Sequence, residues 1–210
     1  MSPSYFISGI GTGVGKTIAS AILTQVWATD YWKPVQAGDL DYSDSDTVRN
    51  LSRRVKKIHP ERFRLNLAAS PHEAAEADHL SISLTDFELP ITDNRLIIEG
   101  AGGLFVPLNG QHFMIDLIER LKLPVILVIR DYLGCINHSL LSINALRAKN
   151  IPLAYILFNG NFKPATKSII QKHLPGEVLT LDFPELKQGE ATFIEAISEH
   201  IKQQLNYKSK

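Results

Sequence analysis

Four short, largely apolar runs, each ending at or near glycine, constrain this chain more than any other feature. They are Tyr5-Phe6-Ile7-Ser8 before Gly9, Leu96-Ile97-Ile98 before Glu99-Gly100-Ala101-Gly102-Gly103, Pro124-Val125-Ile126-Leu127-Val128-Ile129 a few residues before Gly134, and Leu153-Ala154-Tyr155-Ile156-Leu157-Phe158 before Asn159-Gly160. A strand with no polar alternation is one covered on both faces, as in a parallel sheet flanked by helices. The segments between the runs carry apolar residues at helical spacing: Ile18, Ile22, Leu23 and Val26; Phe113, Leu117 and Leu121; Leu140 or Leu141 with Ala145. Alternating strands and helices predict an α/β fold, a doubly wound, mostly parallel sheet with helices on both faces. In that architecture ligands sit beyond the carboxyl ends of the strands, and the glycine-rich turns fall there.

One compact domain spanning residues 1–210 accommodates these elements, since 44% of the 210 residues are hydrophobic and no linker, repeat or low-complexity stretch divides them. Lys plus Arg and Asp plus Glu are equal at 22 each, so there is no net basic field to hold a nucleic acid or an acidic membrane. The single cysteine, Cys135, precludes an internal disulfide, and the seven histidines lack zinc-site spacing. With no apolar stretch approaching the ~20 residues of a membrane span and no leader-like N-terminus, the chain reads as soluble and cytoplasmic. The end, Asn206-Tyr207-Lys208-Ser209-Lys210, is expected to fray.

Between the first strand and the first helix stands Gly9-Ile10-Gly11-Thr12-Gly13-Val14-Gly15-Lys16-Thr17. Four glycines let backbone N–H groups turn inward and approach an anion closely. Lys16 supplies a charge for the outer phosphates, the Thr17 hydroxyl is placed to ligate magnesium, and the helix that follows aims its positive end at the same point. This is a phosphate loop of the P-loop NTPase type, one residue longer than G-x-x-x-x-G-K-[ST] because Ile10 stands at the first glycine position.

Such a site needs a carboxylate at a neighbouring strand end for the metal, and Glu99 directly follows Leu96-Ile97-Ile98, although position alone leaves a solvent-facing glutamate open. Asp44, Ser45 and Asp46 precede a helical stripe at Val48, Leu51 and Val55, which reads locally as a helix cap. Asn159, on the turn after a strand, is placed to read a base edge. The Asn-Lys-x-Asp pattern of guanine sites is missing, so adenine is expected.

Together with the loop, four further segments resemble the dethiobiotin synthetase family: Trp32-Lys33-Pro34-Val35-Gln36-Ala37-Gly38, Ser70-Pro71-His72, Glu99-Gly100-Ala101-Gly102-Gly103 and Leu133-Gly134-Cys135-Ile136-Asn137-His138, in the family's order. The resemblance implies a cytoplasmic homodimer that uses ATP and Mg²⁺ to close a cyclic urea from 7,8-diaminononanoate and carbon dioxide, giving dethiobiotin, ADP and phosphate, the penultimate step of biotin synthesis. It implies Lys33, Lys16 and Thr12 as the catalytic group, with Lys33 a fixed cation beside the carbamate and the transferring phosphoryl group. It implies Thr17, Asp46 and Glu99 as magnesium ligands, so that for Asp46 it overrules the reading as a cap.

The nucleotide would be held by Gly13, Val14, Gly15, Lys16, Thr17, Ile18, Asp46, Glu99, Gly100, Ala101 and Gly102, with Asn159, Gly160 and the Pro184-Glu185-Leu186 segment on the base side. The substrate would meet Ala37, Ser70 and Pro71, and its carboxylate the helix N-terminus at Gly134, Cys135, Ile136 and Asn137 across the dimer interface. Ser70-Pro71-His72-Glu73 also reads as an N-cap, a proline at N1 and a capping-box glutamate. Cys135 lacks an identifiable histidine partner and is not expected to be a nucleophile.

Gly11, Gly13 and Ala37 depart from the family's acid, glutamate and hydroxyl at those places, and the stretch from Thr17 to Lys33 is short for the family. The loop by itself is equally compatible with a partition-type, nucleotide-switched ATPase, but that class is disfavoured by the neutral charge and the lack of a basic or amphipathic tail.

Overall fold

The computed structural model describes residues 4–176, 178–185 and 191–208. β1 (Tyr5–Gly9) leads through the glycine loop into α1 (Lys16–Trp27), and β2 (Asp30–Trp32) follows after Ala28 and Thr29 alone. The short stretch from Thr17 to Lys33 therefore keeps both a helix and a strand and joins them by a two-residue turn, in which Ala28 takes a left-handed conformation (φ 53°) and donates its N–H to Thr24 O at 2.9 Å.

After β2 come β3 (Val35–Ala37), α2 (Asp44–Leu51), β4 (Ile58–His59), β5 (Phe63–Leu65), α3 (Pro71–Ala77) and a 3₁₀ turn at Leu84–Asp86. The chain continues through β6 (Leu96–Gly103), α4 (Met114–Leu121), β7 (Val125–Arg130), α5 (Cys135–Ala148), β8 (Leu153–Asn159), α6 (Pro164–Gln171), β9 (Leu179–Phe183) and α7 (Ala191–Lys208).

Seven strands form one sheet in the order β4-β2-β6-β1-β7-β8-β9, and each pairing in it is parallel. The four apolar runs are its four central neighbours β6, β1, β7 and β8, and most of their residues are buried. Tyr5 stacks on Trp27 of α1, whereas the next residue, Phe6, lies against the α4 side near Met114. Successive strand residues point to opposite faces, so α1 and α4 cover opposite sides of the sheet. α2 and α7 pack beside α1. None of the described helices is long and apolar enough to cross a membrane.

Three local expectations are corrected. Gly100 to Gly103, read as a turn, continue β6, and Gly103 pairs with Gly9 of β1. A side chain at Gly103 would stand 3.3 Å from Gly9 O and 3.4 Å from Gly11 N, so glycine lets the strand run beneath the phosphate loop. Ser70 and Pro71 do begin α3, but Ser70 makes no side-chain cap; its hydroxyl pairs with His72 Nδ1 at 2.9 Å, and the capping box with Glu73 does not form. Asn206 to Lys208 belong to α7 rather than to a frayed tail; Ser209 and Lys210 lie outside the described residues.

The strand that carries Glu99 is seated directly on the core. A methyl group at Gly100 would lie 2.7 Å from Phe6 Cε1 and 3.3 Å from Met114 Cγ, both of them buried. Gly100→Ala is therefore expected to destabilise the fold by about 1–3 kcal/mol through overpacking. Denaturant titration of the two proteins reads this directly; an unchanged midpoint would mean that the Phe6 ring gives way without cost.

Candidate active site

α1 starts at Lys16 with Gly15 as its N-cap at φ 94°, and Gly13 also has a positive φ of 69°. Side chains hold three carbonyls of the loop: Lys16 Nζ donates to Gly11 O at 3.2 Å, Arg130 Nη1 to Gly13 O at 3.2 Å and Asn159 Nδ2 to Val14 O at 2.9 Å. In a planar trans peptide the N–H points opposite to the C=O, so these contacts turn the following amides toward the anion side. Gly15 is required where it stands, because a side chain there would meet Asn159 Nδ2 at 2.3 Å. Thr12 is exposed and sits close to Gly102, and Ile18 is half-buried in the first turn of α1.

At the carboxyl ends of β2 and β6 the chain assembles a buried ionic cluster. Pro34 lacks an N–H and separates β2 from β3, which leaves the main sheet to pair with β5; Lys33 stands at this break. Its Nζ lies 2.5 Å from Asp44 Oδ2 and 3.2 Å from Glu99 Oε1, with Gly100 O at 3.4 Å. Thr17 Oγ1 is 2.9 Å from Asp44 Oδ1 and 2.8 Å from Glu99 Oε1. The other oxygen of Glu99 accepts from Ser20 Oγ at 2.6 Å and Tyr31 Oη at 2.9 Å. Glu99 is 0% exposed. It is thus no solvent-facing strand-end residue but a fixed carboxylate with its second oxygen turned toward Thr17 and Lys33.

The charges respond to this setting. Burial works against the ammonium of Lys33, but Glu99 and Asp44 outweigh it and raise its pKa, so the side chain is a permanent cation. Burial also opposes ionisation of Asp44, yet Lys33 and the Thr17 hydroxyl keep its carboxyl below the ordinary range. Lys16 has no such acidic partner within hydrogen-bonding range among the described residues; burial, then the nearby Lys33, lowers its pKa to about 8. A phosphate anion beside Lys16 would relieve that cost.

The acid that meets Thr17, Lys33 and Glu99 is Asp44, and this corrects the place expected for Asp46. Asp46 closes a capping box with Ser43, whose N–H and hydroxyl donate to Asp46 Oδ2 at 3.0 and 2.8 Å, and it pairs with Arg49. It faces a cavity of about 240 Å³ lined also by His59 and Arg64, outside the cluster. Residues two apart on a helix diverge by about 200°, so Asp44 and Asp46 cannot point the same way. The cap of α2 is Ser43, and Asp46, at the third helical position, closes the box with it, so the acids read locally as a cap stand in the first turn of the helix.

Thr17 and Ser20 share one helix face at i, i+3, and Tyr31 and Lys33 one strand face at i, i+2. Those spacings are the signals that could have drawn Ser20 and Tyr31 from the sequence. Among the described residues no group of three or more His, Cys, Asp or Glu forms a protein-only metal cage. A hydroxyl and two carboxylates on hard oxygen, already arranged around a cation, do fit Mg²⁺, which takes few protein ligands and completes its octahedron with water and phosphate oxygens.

The remaining expected residues distribute along the same rim. Asn159 is buried at the end of β8, its buried Oδ1 has no hydrogen-bond partner among the described residues, and Gly160 follows at φ 111°. Pro184 and Glu185 follow β9, and Glu185 reaches Arg130 at 2.6 Å; Leu186 lies outside the described residues. Ala37 ends β3, against which α3 packs behind Ser70 and Pro71. Gly134 caps α5 at φ 108°, Cys135 is buried, and Ile136 and Asn137 are exposed. No hydrogen bond or ion pair among the described residues joins residues 134–137 to the Lys33 cluster.

The AAA domain family matches residues 3–191. A protein of Christiangramia forsetii named ATP-dependent dethiobiotin synthetase BioD is 49% identical over 173 residues, covering 82% of this chain and 83% of that protein. One of the same name from Cytophaga hutchinsonii is 48% identical over 185 residues, covering 87% and 89%, and one from Paramagnetospirillum magneticum is 43% identical over 166 residues, covering 79% and 80%. Among solved structures, a ParA family ATPase from Chlorobium tepidum TLS is similar with a TM-score of 0.48 and 12% identity, over 99% of this chain and 93% of that one, which decides nothing about activity.

Proposed function

The chain belongs to the dethiobiotin synthetase family of ATP-dependent ligases in biotin biosynthesis, and on that premise we propose that it joins 7,8-diaminononanoate and carbon dioxide into the ureido ring of dethiobiotin, releasing ADP and phosphate. One amine takes up carbon dioxide as a carbamate, and a carbamate oxygen attacks the γ-phosphorus of ATP, displacing ADP. The second amine then attacks the carbonyl carbon of the carbamic-phosphoric anhydride, expels phosphate and closes the ring. Each step brings anions together, and the observation that carries the reading is Lys33: a buried, permanently charged ammonium placed between Asp44, Glu99 and the Thr17 end of the phosphate loop. A fixed cation there stabilises the charge that develops on carbamate and phosphoryl oxygens without reorganising.

Within this reading Lys16 and the amides of residues 12–17 would hold the triphosphate, and Thr17, Asp44 and Glu99 would hold Mg²⁺. Bound there, Mg²⁺ would neutralise charge on the phosphates. Ser20 and Tyr31 aim Glu99. Asn159, held beside the phosphate loop by its bond to Val14 O, and Gly160 would border the base, which we read as adenine. Gly134 to Asn137 offer the N-terminus of α5 to the substrate carboxylate of a partner subunit. The same face presents Leu133, fully exposed, with Leu141 at 58% exposed, an apolar surface suited to a homodimer.

Purified protein given diaminononanoate, bicarbonate, Mg²⁺ and ATP is expected to form dethiobiotin with one ADP per ring, read by mass spectrometry and a coupled ADP assay. Folded protein that binds ATP and yields no ring product would sink the proposal.

A further inference from the structure

A Cβ at Gly11 or Gly13 would find nothing within 4 Å, so no packing around these positions fixes the centre of the phosphate loop. Gly13 is exposed and its φ of 69° belongs to the region where glycine moves most freely. The contact that pins its carbonyl comes from a distant strand end. Arg130, the last residue of β7, donates from Nη1 to Gly13 O at 3.2 Å, and its Nη2 lies 2.6 Å from Glu185 Oε1 on the segment after β9. One planar guanidinium thus spans the phosphate loop and the segment proposed to border the base, a geometry that its fork of donors allows and a lysine cannot reproduce.

An exposed ion pair of this kind contributes little to stability, so fold stability does not account for it. Its consequence lies in the peptide plane. Gly13 C=O and Val14 N–H belong to one trans peptide and point in opposite directions, so fixing the carbonyl outward directs the Val14 amide inward. We propose that Arg130 is a positioning residue for ATP, which holds the Gly13–Val14 peptide in its phosphate-binding orientation and ties it to Glu185. The inference rests on the reading of this loop as the ATP site and does not require the ring-closing reaction.

The test is direct binding of ATP and of inorganic tripolyphosphate, by calorimetry without diamine, to wild type, Arg130→Ala and Arg130→Lys. Arg130→Ala is expected to weaken both ligands about tenfold, the scale of one hydrogen bond to a charged group. Under turnover it should raise KM for ATP by a similar factor with kcat at saturating ATP within about twofold, as uniform binding loss predicts. Arg130→Lys should remain at least about threefold weaker than wild type, because an ammonium cannot bridge both acceptors. Unchanged ATP affinity in Arg130→Ala, undiminished affinity for tripolyphosphate, or full recovery by Arg130→Lys would each overturn the proposal. A wild type that binds ATP but forms no dethiobiotin would count against the proposed reaction and leave these comparisons intact.

Discussion

Lys33→Ala is expected to lower kcat by about two to three orders of magnitude, the usual loss for one preorganised electrostatic group at a reacting centre, while ATP affinity changes by no more than about threefold. The two quantities separate because the Lys33 ammonium contacts Asp44, Glu99 and Gly100 O but none of the loop carbonyls held by Lys16, Arg130 and Asn159. Removing one partner of a buried ion pair often costs about 3–5 kcal/mol. Here the loss is smaller, since Glu99 keeps donors from Thr17, Ser20 and Tyr31, and the Asp44 side chain is 32% exposed. The variant should therefore fold, which a melting curve with Mg²⁺ establishes before kinetics are read. Equal losses in turnover and ATP affinity would remove Lys33 from the chemistry and make it a structural counter-ion of the metal site.

Asp44→Asn and Asp46→Asn, compared side by side, decide which acid serves the metal. Asp44→Asn is expected to raise the Mg²⁺ concentration for half-maximal rate by about 10- to 100-fold, a range already seen when only the supporting groups of a metal ligand are lost. Asp46→Asn should leave that requirement within about twofold and instead lower stability by about 0.3–1 kcal/mol, the worth of a negative charge in the first turn of a helix. The measurement is a Mg²⁺ titration of the steady-state rate at saturating ATP, paired with thermal denaturation. The reverse pattern would return the metal to Asp46 and require α2 to rotate when the ligands bind.

Much of the fold was legible because its signals are local. Continuous apolar runs mark the four strands at the middle of the sheet, and all four lie there. The edge strand β4 and the small β3-β5 sheet passed unread, being two or three residues long and too short to display a period. β9 is longer, but its alternating Leu179-Thr180-Leu181-Asp182-Phe183 lacks the continuous apolar signature used for the others. The glycines from Gly100 to Gly103 predict a turn because glycine usually marks one, whereas here the lack of side chains lets β6 slide beneath the loop.

The site divides along the same line. Gly9 to Thr17 disclose a phosphate loop from sequence alone, since the spacing of glycines and the Gly15-Lys16-Thr17 sequence act on the backbone of their own segment. Glu99 is legible by its position at a strand end, whereas Lys33 stands out only through the family resemblance of its segment. Which of two nearby aspartates turns to Thr17, which hydroxyls hold Glu99, and that Arg130 reaches back to Gly13 depend on how α2 is rotated and how β2, β6, β7 and β9 are set side by side. Residues 27 to 117 positions apart meet there, and no pattern within a segment encodes the meeting. The sequence by itself determined that a nucleotide's phosphates have a cradle; packing of the helices on the sheet decided which charges surround it.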